Sequence, residues 1–159
     1  MKIFLDTADV YAIKDYYETG LIDGVTTNPT LIKKSRRNPL DVYQQIKDIG
    51  VPDISMEVMG DTKEMVSEGN TLFQTFGDVA TIKVPCTRDG LKACKELSDV
   101  GIKVNVTLIF SMPQAVLAAK AGATYVSPFV GRLDDQQVAG LEVVRGISDL
   151  YRIHGIRTQ

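Results

Sequence analysis

The run Ala80-Thr81-Ile82-Lys83-Val84-Pro85-Cys86-Thr87 sets one ammonium inside an apolar, branched segment closed by a proline. Taking that charge out of water without a partner costs on the order of several kcal/mol, so Lys83 needs a reason to be there. Two reasons fit. One is a structural ion pair with Glu57 or Asp6. The other is covalent chemistry, because burial favours a free amine over an ammonium and a free amine adds to a carbonyl carbon. Nearby carboxylates pull the other way by favouring the charged form, and the sequence leaves that balance open.

Side chains alternate across a strand, so partners in phase with Lys83 can be sought in the other short apolar segments. Thr81 and Lys83 face one way, with Ala80, Ile82 and Val84 opposite. Asp6 opposes Ile3 and Leu5, and Thr26 and Asn28 oppose Val25. Glu57 opposes Met56 and Val58. Asn105 and Thr107 oppose Val104, Val106 and Leu108, and Ser127 and Phe129 oppose Val126. Taken singly, Asp6, Asn28 and Ser127 also suit helix caps, but Lys83 and Glu57 do not. As a set, six segments place polar groups in one phase near their carboxyl ends, where β/α barrels assemble active sites.

The elements that must position these groups follow from periodicity. Short apolar runs alternate with segments of helical period, the pattern of a β/α protein with parallel strands. Strands are predicted at Lys2–Leu5, Ile22–Thr26, Ile54–Val58, Val79–Val84, Lys103–Leu108 and Thr124–Pro128. Helices are predicted at Val10–Glu18, Leu40–Ile49, Lys63–Phe76, Asp89–Val100, Met112–Ala121 and Gln137–His154, with a short turn after Pro29. Ser111 before Met112-Pro113 and Thr87 before Arg88-Asp89 mark helix starts. Gly50, Gly101 and Gly122 mark stops. The expectation is an α/β fold of the (β/α)8 TIM-barrel type, in a single domain over residues 1–159. A closed barrel usually takes about 250 residues. The chain is therefore expected to be truncated after about six units.

Composition narrows the partners. With 18 Lys and Arg against 20 Asp and Glu, a net charge of −2 gives no footprint for nucleic acid or an anionic membrane. The start MKIFLDTADV is interrupted by charge, unlike a signal peptide, and no apolar run nears about 18 residues; a cytoplasmic protein is expected. Cys86 and Cys94 lack metal-site spacing and read as reduced thiols. His154 reads as a helix-end charge, KKSRR at 33–37 as a solvated loop, and Tyr16, Tyr17 and Tyr43 as core or interface anchors. The turns at Gly60 and Gly131 form no nucleotide-binding loop.

The chain resembles the transaldolases, and within them the short branch that includes the fructose-6-phosphate aldolases. The resemblance rests on FLDTAD (4–9), GVTTNPTLI (24–32), SMEVMG (55–60), ATIKVPCT (80–87), VNVTLIFS (104–111) and YVSPFVGRLDD (125–135), in the family's order and spacing. It implies a class I enzyme without metal or organic cofactor, in which Lys83 forms an imine with the ketone of a sugar phosphate. Asp6 matches the base for carbon–carbon cleavage, and Glu57 and Thr107 match the pair that handles a catalytic water. Asn28, Asn105 and Ser127, beside Thr26, match groups that hold the dihydroxyacetone hydroxyls, and Arg132 matches a phosphate ligand. Glu57 and Phe129 match the transaldolase side of the family, where the aldolase side has Gln and Tyr. The implied reaction moves dihydroxyacetone from sedoheptulose 7-phosphate or fructose 6-phosphate to an aldose phosphate, in the pentose phosphate pathway. The family pattern continues past Gln159 with a seventh strand bearing a Ser-x-Arg phosphate motif, an eighth strand and terminal helices. The chain then reads as a fragment, as a part completed by another chain, or as a shortened, inactive structural subunit. Homo-oligomers of five or ten subunits are also implied.

Overall fold

The computed structural model describes residues 1–159. Its elements are β1 (Phe4–Asp6), α1 (Val10–Tyr17), β2 (Gly24–Thr26), α2 (Pro29–Ser35), α3 (Pro39–Ile49), β3 (Ile54–Glu57), α4 (Thr62–Phe76), β4 (Ala80–Pro85), α5 (Arg88–Asp99), β5 (Lys103–Ile109), α6 (Met112–Lys120), β6 (Tyr125–Pro128), α7 (Val130–Asp135) and α8 (Gly140–Ile153). The strands follow one another in chain order through the sheet. β1 with β2, β2 with β3, and β5 with β6 pair in parallel. This is the α/β architecture of the (β/α)8 type that the alternation of short and long apolar segments implies. Two compact units make up the chain: residues 1–58 with 68–82, and residues 59–67 with 83–159.

In the first unit, Leu5 stands opposite Val25 and Val25 opposite Ile54. Val25, Ile54 and Met56 are wholly buried. Pro39 in the first turn and Asn38 as cap start α3, and Gly50 ends it in the left-handed conformation at φ +99°. Its inward face is Val42, Tyr43 and Ile46, the spacing of one helical stripe. The Tyr43 ring meets Phe76 edge to face, with centroids 5.9 Å apart. Two polar ties brace the unit: the Tyr17 hydroxyl donates to the Gly50 carbonyl at 2.7 Å, and the buried Thr81 hydroxyl donates to the Asp53 carboxylate at 2.7 Å.

In the second unit, α5 buries Gly90, Ala93, Cys94 and Leu97. Thr87 caps this helix by accepting from the Gly90 amide at 3.0 Å. The start of α5 lies so close to the end of β4 that a Cβ on Gly90 would fall 1.9 Å from the Pro85 carbonyl oxygen. Ser111 caps α6, and α8 docks through buried Ile147 and Tyr151. The Tyr151 hydroxyl donates to the Ala115 carbonyl at 2.6 Å. Gln159 runs beside β6, donating to Thr124 and accepting from Val126 through the backbone.

Three expectations change. The helix expected over Gln137–His154 begins only at Gly140, because Gln137 is left-handed at φ 58°. A separate helix, α7, precedes it. The turn after Pro29 is the seven-residue helix α2, so KKSRR straddles a helix end: Lys33 to Ser35 are helical and Arg36 terminates them at φ 56°. Strand ends also move by one or two residues, with β1 reaching Asp6 and β5 reaching Ile109.

The contact between Gly90 and Pro85 leaves no room for a methyl group. Gly90→Ala is expected to lower stability by about 1–3 kcal/mol, the range for overpacking a tight site, as measured by urea unfolding; an unchanged midpoint would contradict this packing.

Candidate active site

In the first unit, parallel pairing places Asp6 and Thr26 side by side at the carboxyl ends of β1 and β2. The Thr26 hydroxyl donates to the Asp6 carboxylate at 2.7 Å, which leaves that exposed carboxylate with an oriented partner. Thr27, one residue on, is buried and donates to the Ser55 carbonyl at 3.0 Å, locking the turn that leads to Asn28. Asn28 caps α2, accepting from the Leu31 amide at 2.9 Å. The cap role that its position allowed is therefore real.

Glu57, at the end of β3, lines a cavity of about 420 Å³ together with Tyr43, Ile32, Glu68 and Leu72. Burial pushes the Tyr43 phenol above its ordinary value, and the Glu68 and Glu57 carboxylates add to this, while a hydrogen bond with Thr27 works against it. Burial also raises the Glu68 carboxyl. A buried phenol beside two carboxylates was not foreseen. Helical phase alone marks Tyr43 as a core anchor and is silent about where its hydroxyl ends.

In the second unit, Lys83 on β4 is 4% exposed, Asn105 on β5 is 3% and Thr107 is 1%. The Ser127 hydroxyl donates to the Asn105 side-chain oxygen at 2.8 Å. The Cys86 amide donates to the Thr107 carbonyl at 2.8 Å, tying the end of β4 to β5. The Thr107 hydroxyl is buried and makes no hydrogen bond. Just beyond it β5 bulges: Leu108 has φ 61°, the register with β6 shifts between Thr107 and Ile109, and Ile109 rather than Leu108 enters the core. That corrects the apolar phase assigned to Leu108. A bulge adds one residue and flips the alternation after it, which a period-two reading misses.

Phe129 precedes α7 and meets Phe110 at a centroid distance of 5.8 Å. Phe110 is a neighbour that the alternation of β5, broken by the bulge, conceals. Arg132 lies on α7 and is exposed. No cluster of three or more His, Cys, Asp or Glu side chains stands where a metal ion could be held.

A sheet with strands in chain order and helices between them defines the β/α class of fold. The model of the transaldolase/fructose-6-phosphate aldolase family matches residues 3–159. A probable transaldolase of Nitrosopumilus maritimus is 53% identical over 153 residues, covering 96% of this chain and 68% of that protein. Probable transaldolases of Ruegeria sp. strain TM1040 and Shouchella clausii are each 50% identical over the whole chain, which spans 73% and 74% of their lengths. The chain belongs to the transaldolase/fructose-6-phosphate aldolase family, and it is an enzyme of the transferase kind. No helix is long and apolar enough to cross a membrane.

Two outcomes test this geometry. A buried, unpaired hydroxyl costs about 1–3 kcal/mol, so Thr107→Val is expected to keep or raise stability by about 1 kcal/mol in urea unfolding, and a loss of more than that would show a hidden partner. Burial pushes the Cys94 thiol from about 9 up to about 12. A raised thiol contributes stability that is whole below the unfolded value and is lost as pH climbs through the folded one. Unfolding free energy is therefore expected to fall between about pH 9 and 12 in the parent more steeply than in Cys94→Ala; iodoacetamide at pH 8 should label half-buried Cys86 well before Cys94, and the reverse order would contradict the packing.

Proposed function

We propose that the protein transfers a dihydroxyacetone unit between sugar phosphates through an imine on Lys83. The observation that carries this reading is the burial of Lys83 to 4% exposure on β4, in a chain of the transaldolase family. A desolvated lysine is a costly structural device and an effective nucleophile when neutral.

The steps balance as follows. The Lys83 amine adds to the C2 carbonyl of a ketose phosphate such as fructose 6-phosphate or sedoheptulose 7-phosphate, and loss of water gives an iminium. Asp6 takes the proton of the C4 hydroxyl, the C3–C4 bond breaks, and its electron pair enters the iminium to give an enamine. The aldose phosphate product leaves. An acceptor aldose phosphate is then attacked at its aldehyde carbon by the enamine, its oxygen takes a proton back, and water hydrolyses the new iminium to free Lys83.

Glu57 and Thr107 handle the water and the protons of imine formation and hydrolysis; the unpaired Thr107 hydroxyl supports this assignment, because it can accept such a molecule without losing an existing bond. Thr26 orients Asp6, and the pairing of their side chains supports that role. Asn28, Asn105 and Ser127 hold the hydroxyls of the three-carbon unit. Arg132 takes the phosphate through its planar fork. Phe129 packs the wall and, with Glu57, favours transfer over simple cleavage to fructose-6-phosphate aldolase products. On this reading the protein acts in the pentose phosphate pathway, as a cytoplasmic homo-oligomer with a single β/α domain.

Borohydride reduction of the full chain with fructose 6-phosphate is expected to fix an adduct on Lys83 and none in Lys83→Ala, read by peptide mass spectrometry. With erythrose 4-phosphate as acceptor the same protein should release glyceraldehyde 3-phosphate at least tenfold faster than without it. Glu57→Gln combined with Phe129→Tyr should narrow that ratio. An untrapped chain would leave a structural subunit as the better reading, and a ratio near one in the parent would leave an aldolase.

A further inference from the structure

Lys33, Lys34, Arg36 and Arg37 crowd four cations into five residues of a chain whose net charge is −2. None of them forms an ion pair with a carboxylate. Arg37 alone has a side-chain hydrogen bond, donating to the neutral Gln45 side chain at 2.9 Å and keeping the rest of its five donors free. The carboxyl end of α2 offers roughly half a negative charge, too little to match four cations. Unmatched like charges held on a short, ordered segment repel one another, and an anion relieves them.

The same segment walls a cavity of about 370 Å³, within the size range of small-molecule sites. Lys34, Ser35 and Arg37 stand on one side, Val10 and Tyr11 of α1 on the other, and Leu31 adds an apolar wall. Tyr11 is 82% exposed, so its ring lies open at the surface beside the cavity. Asp9 also lines the space, but its carboxylate oxygen accepts from the Tyr11 and Ala12 amides at 3.0 and 3.3 Å. The Tyr11 and Ala12 amides are thus engaged, and Lys34 and Arg37 supply the attraction, two cations against the single negative charge of Asp9.

We propose that this cavity is a binding site for a small phosphomonoester carrying a ring, a sugar phosphate or mononucleotide. A phosphomonoester brings close to two negative charges at neutral pH. A guanidinium grips it through two parallel hydrogen bonds, Lys34 adds a point charge, and the ring lies against Tyr11 and the apolar wall. The cavity exceeds what a bare inorganic anion fills, which is why the ligand carries an organic part. This site lies wholly in the first unit and uses none of the residues assigned to transfer, so it stands whether or not that assignment does.

Isothermal titration of adenosine 5′-monophosphate and of ribose 5-phosphate into the full chain tests it, alongside Lys34→Ala/Arg37→Ala and, separately, Arg132→Ala. Saturable binding of at least one phosphomonoester is expected. The double variant should weaken adenosine 5′-monophosphate binding at least tenfold with thermal stability unchanged, while Arg132→Ala leaves that binding within about twofold. Adenosine without phosphate should bind at least tenfold more weakly. Tighter binding of the nucleotide, lost in Tyr11→Ala, identifies a stacked base as the ring; equal or tighter binding of ribose 5-phosphate that the double variant weakens identifies a sugar, and either order supports the site. Absence of saturable binding, or weakening confined to Arg132→Ala, would overturn it.

Discussion

Holding an ammonium-bearing side chain at 4% exposure on β4 is the constraint around which the second unit is arranged, because desolvation makes the position of that nitrogen expensive to leave unspecified. The strand end that carries Lys83 is fixed from two directions. Gly90 lets the start of α5 press against the Pro85 carbonyl, closer than any residue with a Cβ allows. The Cys86 amide binds the Thr107 carbonyl, so β4 and β5 keep a common register just past Lys83. On the proposed reading, an amine set on a rigid strand loses little entropy when it reacts, which is how preorganised sites gain rate.

Paired side chains fix strand ends within each unit as well. Thr26 orients Asp6 and Ser127 orients Asn105, and both pairs join adjacent parallel strands. Thr107 breaks the rule, with a buried hydroxyl that has no partner. A fold tolerates such a group where stability gives way to function. The bulge at Leu108 follows directly, and bulges often stand next to active sites because they re-aim the side chains around them.

Much of this was legible in the chain. The position and type of all six strands came from short branched runs between glycine stops, since burial on both faces selects for them. The polar phase came from strict alternation, which assigns Asp6, Thr26, Lys83, Asn105 and Thr107 to one face of their strands. What escaped depended on one residue leaving regular geometry. Leu108, Arg36 and Gln137 each take a left-handed conformation without being glycine, so nothing in their type signals a bulge, a helix end or a split helix. The cavity lined by Tyr43, Glu57 and Glu68 escaped for another reason: it joins residues from three elements, and period reports faces rather than reach. The same holds for Lys34 and Arg37 of KKSRR, exposed as a solvated segment would be, whose place on the wall of a cavity only the fold shows.

On the proposed reading the Lys83 nitrogen becomes covalently bound to the ketone carbon of the substrate. Carbon-13 NMR of the full chain, with lysines labelled in 15N and dihydroxyacetone labelled with 13C at its carbonyl, reads that bond without trapping it. A protein-bound imine or enamine carbon is expected, split by coupling to one lysine nitrogen and absent in Lys83→Arg. Only the free carbonyl signal, or a bound signal that survives Lys83→Arg, would contradict it.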